Sequence, residues 1–241
     1  MIFDGFSAQA LSFLMENRLQ NSKSWFEAHR NQYNALVLQP LRALVEALTP
    51  VMLDIDPAFT VEPKVGRTIS RIFRDVRFAK DGFLFREEMW ITFMRNKRCW
   101  EGQPGYYFSF GPDGLAYGYG YYQATPAAMD AMRQMILRQE PLFVQASACF
   151  RRQKKFAMNG DFYKRSRFPD QPPELKEWLD RRSISFDCMS TDFDILYSAK
   201  LVPLLSNGFR ELAPLHTFFC SVEERRPHAQ TAVPQEQMKK Q

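Results

Sequence analysis

The sequence predicts a single α+β domain with N-terminal helices, a central antiparallel sheet and C-terminal helices. Residues 1–56 carry apolar positions at helical spacing between cap signals. Residues 61–122 are dense in β-branched and aromatic residues around one strong turn signal, and the remainder returns to helical spacing. Composition agrees, because 241 residues at 45% hydrophobic and 24% charged can bury most of their surface, which excludes disorder of the whole chain. The domain is assigned to residues 1–226. Residues 227–241 lack an apolar face and read as a disordered tail.

Ser7 is the expected N-cap of a first helix whose apolar face is Ala10, Leu11, Phe13 and Leu14. A second helix is expected from Ser24, with Glu27 at capping-box spacing, running through Trp25, Phe26, His29, Tyr33, Leu36 and Val37. Pro40 opens a third, Leu41–Asp54. Strands follow at Val61–Val65, Thr68–Arg74, Met89–Phe93 and Tyr106–Phe110. Gly111-Pro112-Asp113-Gly114 then turns the chain into a hairpin with Leu115–Tyr122. Gly118 and Gly120 leave one face of that strand bare, so a backbone or a ligand can approach it closely. Thr125-Pro126 caps a helix to Leu137, and Glu140–Phe150 is a further helix. Beyond them come a helix Glu174–Arg181, a strand Ser183–Met189, and helices Ala199–Leu212 and Leu215–Glu223 divided at Pro214.

No apolar run approaches the roughly 18–20 residues that span a bilayer, and the N-terminal segment does not read as a signal peptide. The expectation is a cytoplasmic protein with no membrane association. The four cysteines, Cys99, Cys149, Cys188 and Cys220, stand far apart beside apolar residues and read as free thiols. The three histidines, His29, His216 and His228, show no HxxxH or HExxH spacing, so no metal and no cofactor are expected. Glycine fingerprints for dinucleotides, a phosphate-binding P-loop and a GxSxG nucleophile elbow are all missing from the sequence.

Charge is concentrated. Residues 61–100 hold ten Lys/Arg against five acids, residues 150–182 hold ten against five, and the rest of the chain is net acidic. The densest stretch runs from Arg67 to Asp81. If Arg71–Phe78 is extended, Arg71, Phe73, Asp75 and Arg77 share one face, while Ile72, Arg74, Val76 and Phe78 share the other. Guanidinium forks suit carboxylate and phosphate because each donates two parallel hydrogen bonds. The candidate ligand-binding set is therefore Arg71, Arg74, Asp75, Arg77, Lys80 and Asp81, with Trp25 as a wall and His29 as a proton donor. The competing reading of the same residues is an Arg–Asp ladder that ties a loop to the sheet.

Two motifs, Asn21–Arg30 (NSKSWFEAHR) and Arg71–Asp81 (RIFRDVRFAKD), resemble those of an uncharacterised family, a domain of unknown function. That family pairs an N-x-x-x-W-F helix with an R-D-x-R-F-x-K-[DN] segment. Gly82 and Leu84 stand where the family usually has Lys and Pro, and Arg86 where it has Lys. The resemblance implies no reaction. Read from the residues, the first expectation is binding of a small anionic ligand, bearing phosphate or carboxylate, at the arginine-rich strand. The alternatives are nucleic-acid binding through the two basic segments, with Tyr106, Tyr107, Tyr117, Tyr119 and Tyr121 as stacking surfaces, and a structural or partner-binding module. Whether the chain is an enzyme, and its oligomeric state, are not decided by the sequence.

Overall fold

A computed structural model describes residues 2–75, 77, 81–95 and 102–226. The chain forms one α+β domain with helices at both ends of a five-stranded antiparallel sheet. Lys80, Cys99, His228 and the tail from 227 onward lie outside the described residues.

The first helix, α1 (Ala8–Gln20), starts as expected, with the Ser7 hydroxyl accepting from the Ala10 N–H. The second, α2 (Lys23–Ala28), starts earlier than expected. Ser22, not Ser24, caps it by accepting from the Trp25 N–H, and Glu27 reaches forward to Arg30 instead of back to a cap. After His29 the helix resumes as α3 (Arg30–Tyr33), widens into a π-helical turn (Asn34–Leu38) and continues as α4 (Gln39–Ile55). Pro40 therefore does not separate two helices. The wide turn lets the Gln39 N–H reach back to the Asn34 carbonyl, so the register shifts ahead of the proline that has no N–H to give. The continuous stretch Arg30–Ile55 is long and apolar enough to cross a membrane by length and composition, with a mean hydropathy of 1.4 over its best window. Half of that window is buried inside the domain, where Leu41, Leu44, Val45 and Leu48 are fully enclosed. The absence of such a run, expected from the sequence, is corrected accordingly.

The sheet comprises β1 (Met89–Phe93), β2 (Pro104–Gly111), β3 (Gly114–Tyr121), β4 (Ala157–Asn159) and β5 (Ser185–Ser190), in the order β1-β2-β3-β5-β4. Gly111 pairs with Gly114 across the predicted hairpin turn, and Gly114 takes φ +129°, open to glycine alone at little cost. Gly118 admits a backbone rather than a ligand. A Cβ there would stand 2.1 Å from the Phe186 carbonyl oxygen on β5. The expected strands Val61–Val65 and Thr68–Arg74 contribute only isolated bridges. Gly66, at φ +80°, folds the chain back so that its own N–H bonds the Ile69 carbonyl, and residues 68–70 then run along the edge of β1.

Between and after the strands stand α5 (Pro126–Leu137), α6 (Pro141–Arg152), α7 (Pro173–Leu179), α8 (Phe193–Leu196), α9 (Leu201–Glu211) and α10 (Ala213–Arg225). Thr125 caps α5 as expected, whereas the short α8 was not foreseen. Helix α10 packs on α5 and α6, and α9 on α4. The aromatic wealth goes into this core. Tyr106, Tyr117, Tyr119 and Tyr121 are all buried, with Tyr106 and Tyr119 in ring contact at 4.6 Å, so these four do not form a stacking surface for bases. Tyr107 is half-buried and donates to Asp187. In the second basic segment, Arg181 is buried and spends its guanidinium on the carbonyls of Met158, Gly160 and Glu177.

Candidate functional site

Ile72–Arg74 and Leu84–Arg86 form a short antiparallel ribbon. The Arg74 N–H donates to the Leu84 carbonyl at 2.8 Å and the Arg86 N–H to the Ile72 carbonyl at 2.9 Å, with Phe73 opposite Phe85. The expected alternation holds for Arg71 to Arg74 and then stops. At Asp75 the carboxylate accepts the Arg77 N–H, which bends the chain, and it also takes the Arg77 guanidinium through both oxygens, at 2.9 and 2.7 Å. That guanidinium holds the Asp75 carboxyl down at about 2. Arg74 donates to both oxygens of Asp81, each at 2.7 Å. Arg74, Asp75, Arg77 and Asp81 are thus two ion pairs, the ladder reading. Lys80 lies outside the described residues.

The ladder is tied to α1. Asn21, which ends that helix at φ 46°, donates to the Gly82 carbonyl at 3.2 Å and accepts the Leu84 N–H at 2.7 Å. Arg18 reaches Asp81 and Glu87 and lies 4.1 Å over the Phe83 ring.

Arg71 takes the other direction. Its guanidinium passes within 3.8 Å of where a Cβ on Gly66 would stand, and it meets no acid among the described residues. It stands on the rim of an open groove of about 340 Å³ walled by Phe26, Tyr33, Leu38, Val65, Ile72 and Phe73, with Arg30 also at its edge. Arg30 is already bound to Glu27 by two hydrogen bonds. Burial pushes the Tyr33 phenol up to about 12, so it stays a hydrogen-bond donor at neutral pH. Trp25 and His29 stack at 3.9 Å, and His29 Nδ1 sits 2.8 Å from the Trp25 carbonyl oxygen, but neither ring lines this groove. Of the candidate residues, Arg71 lines this groove, and Arg74, Asp75, Arg77, Asp81, Trp25 and His29 do not.

A second centre was missed. Asp56, at the end of α4, is buried beside His216 of α10, with His216 Nε2 2.8 Å from Asp56 Oδ2. Tyr119 Oη lies 3.2 Å from His216 Nδ1, Arg95 Nε donates to Asp56 Oδ2 at 2.5 Å, and Cys220 Sγ stands 3.4 Å from His216 Nε2. Burial alone would raise the Asp56 carboxyl, but hydrogen bonds from Arg95, the Ala58 N–H and His216 outweigh it and keep the group ionised. Burial lowers His216 against the pull of Asp56, so the imidazole is neutral. A carboxylate can only accept, which puts the imidazole proton on Nε2 and makes Tyr119 the donor to Nδ1. The available signal was His216-x-x-x-Cys220, which places both side chains on one helical face. Asp56 is too distant in sequence to have been paired with them.

The model of a conserved hypothetical protein family, DUF2461, matches residues 9–218. The chain belongs to this family. A search of curated proteins with this chain finds no match. Membership in DUF2461 brings no reaction, so the chemistry of this DUF2461 chain rests on its two centres. One is an aromatic groove with an unopposed guanidinium at its rim, the other a buried Asp–His–Tyr hydrogen-bond chain with a thiol beside it. A further depression of about 580 Å³ near α5 and α10 is lined by Asp130 and Glu140, and both are already held, by Arg133 and Arg225.

Proposed function

We propose that this protein binds a small ligand carrying a carboxylate on an apolar body in the groove beneath Arg71. The supporting observation is that Arg71 alone among the candidate arginines meets no acid among the described residues, and that it does so beside an aromatic groove. An anion there gains a charge-assisted hydrogen bond, and its apolar part covers Val65 and Phe73. Phe73 is 38% exposed, which is area to gain on binding. Among the described residues the groove's ionisable groups are Arg71, Arg30 held by Glu27, and the Tyr33 phenol, a set that favours binding over catalysis. The free thiols Cys149, Cys188 and Cys220 fit a reducing, cytoplasmic setting.

For Arg74, Asp75, Arg77 and Asp81, the two ion pairs favour the architectural reading. Thermal-shift titration separates the two. The acid 3-phenylpropionate should raise the melting temperature in a saturable way, its amide should not, and Arg71→Ala should abolish the effect while leaving the unliganded protein folded. The gain at 100 times Kd is about 2.7 kcal/mol. Equal shifts from acid and amide, or an unchanged shift in Arg71→Ala, would sink the proposal. Inorganic phosphate is the control for head-group binding alone.

A further inference from the structure

We propose that Asp56, His216 and Cys220 form a site for a thiophilic divalent metal ion, zinc by preference. Carboxylate, imidazole and thiolate are the donor types zinc takes, and their ligating atoms already lie within 4.8 Å of one another, with Asp56 and His216 buried and Cys220 half-buried. Around a tetrahedral zinc, ligand atoms stand about 3.3–3.6 Å apart, given bond lengths of 2.0–2.3 Å. Here Cys220 Sγ to His216 Nε2 is 3.4 Å and His216 Nε2 to Asp56 Oδ2 is 2.8 Å. The carboxylate must withdraw from His216 by a few tenths of an ångström, and Asp56 and Cys220, now within 4.8 Å of each other, must take up the same spacing.

Two further observations point to a ligand. The Tyr106 hydroxyl is fully buried and has no hydrogen-bond partner among the described residues. Its ring is 5.8 Å from that of His216. A metal-bound water in the remaining position would give this orphan its partner. Tyr119 is placed as an outer partner. Once His216 Nε2 binds metal, the proton moves to Nδ1 and is donated to the Tyr119 oxygen, which fixes the imidazole. Imidazole stays neutral throughout, and Cys220 releases one proton to solvent as the metal–sulfur bond forms.

Arg95 holds the place of the cation. Its guanidinium sits on the same Asp56 oxygen that faces His216, yet its side chain is 44% exposed, and Glu224 is a second acid within its electrostatic reach. Metal entry requires Arg95 to leave Asp56.

The test is a cobalt(II) titration of the full, reduced chain. One equivalent should produce a near-ultraviolet sulfur-to-cobalt charge-transfer band that zinc displaces. Cys220→Ser should abolish the band, Cys188→Ser should leave it, and Arg95→Gln should raise the affinity tenfold or more. His216→Gln should weaken it, and circular dichroism reports whether that variant folds. Cys220→Ser keeps the test decisive if His216→Gln does not fold. No band at excess cobalt, a band that survives Cys220→Ser, or weaker binding in Arg95→Gln would overturn the proposal.

Discussion

Arg74 Nη1 lies 2.7 Å from both carboxylate oxygens of Asp81, and this pair closes the loop that carries the arginine-rich motif. Asp81 is 41% exposed, so solvent and salt screen the attraction. Asp81→Asn should lower the melting temperature slightly at low salt and hardly at all at high salt. The Arg74 guanidinium lowers the Asp81 carboxyl. Its contribution is therefore full above the ordinary carboxylate range and is lost as pH falls through the depressed value. A melting series from neutral to acid pH on both proteins should converge at the acid end. A large salt-independent loss would show that the pair does more than close a loop.

Asn21 joins α1 to that loop by two hydrogen bonds while holding a left-handed backbone. Asn21→Gly keeps the backbone and loses the bonds, at a cost of about 1–3 kcal/mol. Asn21→Ala should lose a further ~1 kcal/mol, because alanine resists the positive φ. Chemical denaturation of both variants checks the order. Equal stabilities would remove the backbone component.

Above pH 10 the protein should unfold progressively. Burial raises the phenols of Tyr33, Tyr106, Tyr107, Tyr117, Tyr119 and Tyr121. Each stabilises the neutral form in the fold, so its contribution is complete below the unfolded value near 10 and is lost as pH rises through the folded value. The Tyr33 phenol is pushed up to about 12. Tyr33→Phe should delay the onset of alkaline unfolding followed by tyrosinate absorbance. Full titration of all tyrosines near pH 10 with the fold intact would contradict their burial.

Gly118→Ala should be severely destabilising, since its methyl would meet the Phe186 carbonyl oxygen and force β3 from β5. Ala116→Gly, on the same strand, is the control and should cost about 1 kcal/mol or less. Comparable stabilities for the two variants would mean that the strands separate more easily than their register implies.

Features fixed within a few residues were legible in the sequence. Ser7 and Thr125 cap helices because a hydroxyl three residues before an N–H needs no tertiary help, and Gly111–Gly114 turns because its own backbone demands it. The start of α2 was misread because Ser22 and Ser24 both satisfy the local rule and only the wider fold selects one. Extended geometry already sets Asp75 and Arg77 on one face, but Asp81, the partner of Arg74, lies seven residues on and beyond the extended stretch, so that pair is not legible from alternation. The Asp56–His216 contact joins residues 160 apart, and no local pattern announces it. The groove beside Arg71 is out of reach for the same reason, since Phe26 and Tyr33 of the N-terminal helices meet Val65, Ile72 and Phe73 across long sequence separations.

The central claim is that Arg71 is the anion contact, and the side-chain Nε–H resonances of the arginines test it directly. Titration of isotope-labelled protein with 3-phenylpropionate should shift the Arg71 Nε–H signal in a saturable way and leave those of Arg74 and Arg77, held by Asp81 and Asp75, in place. If the Arg71 signal stays fixed, or if Arg74 and Arg77 move in its stead, Arg71 is not the anion contact.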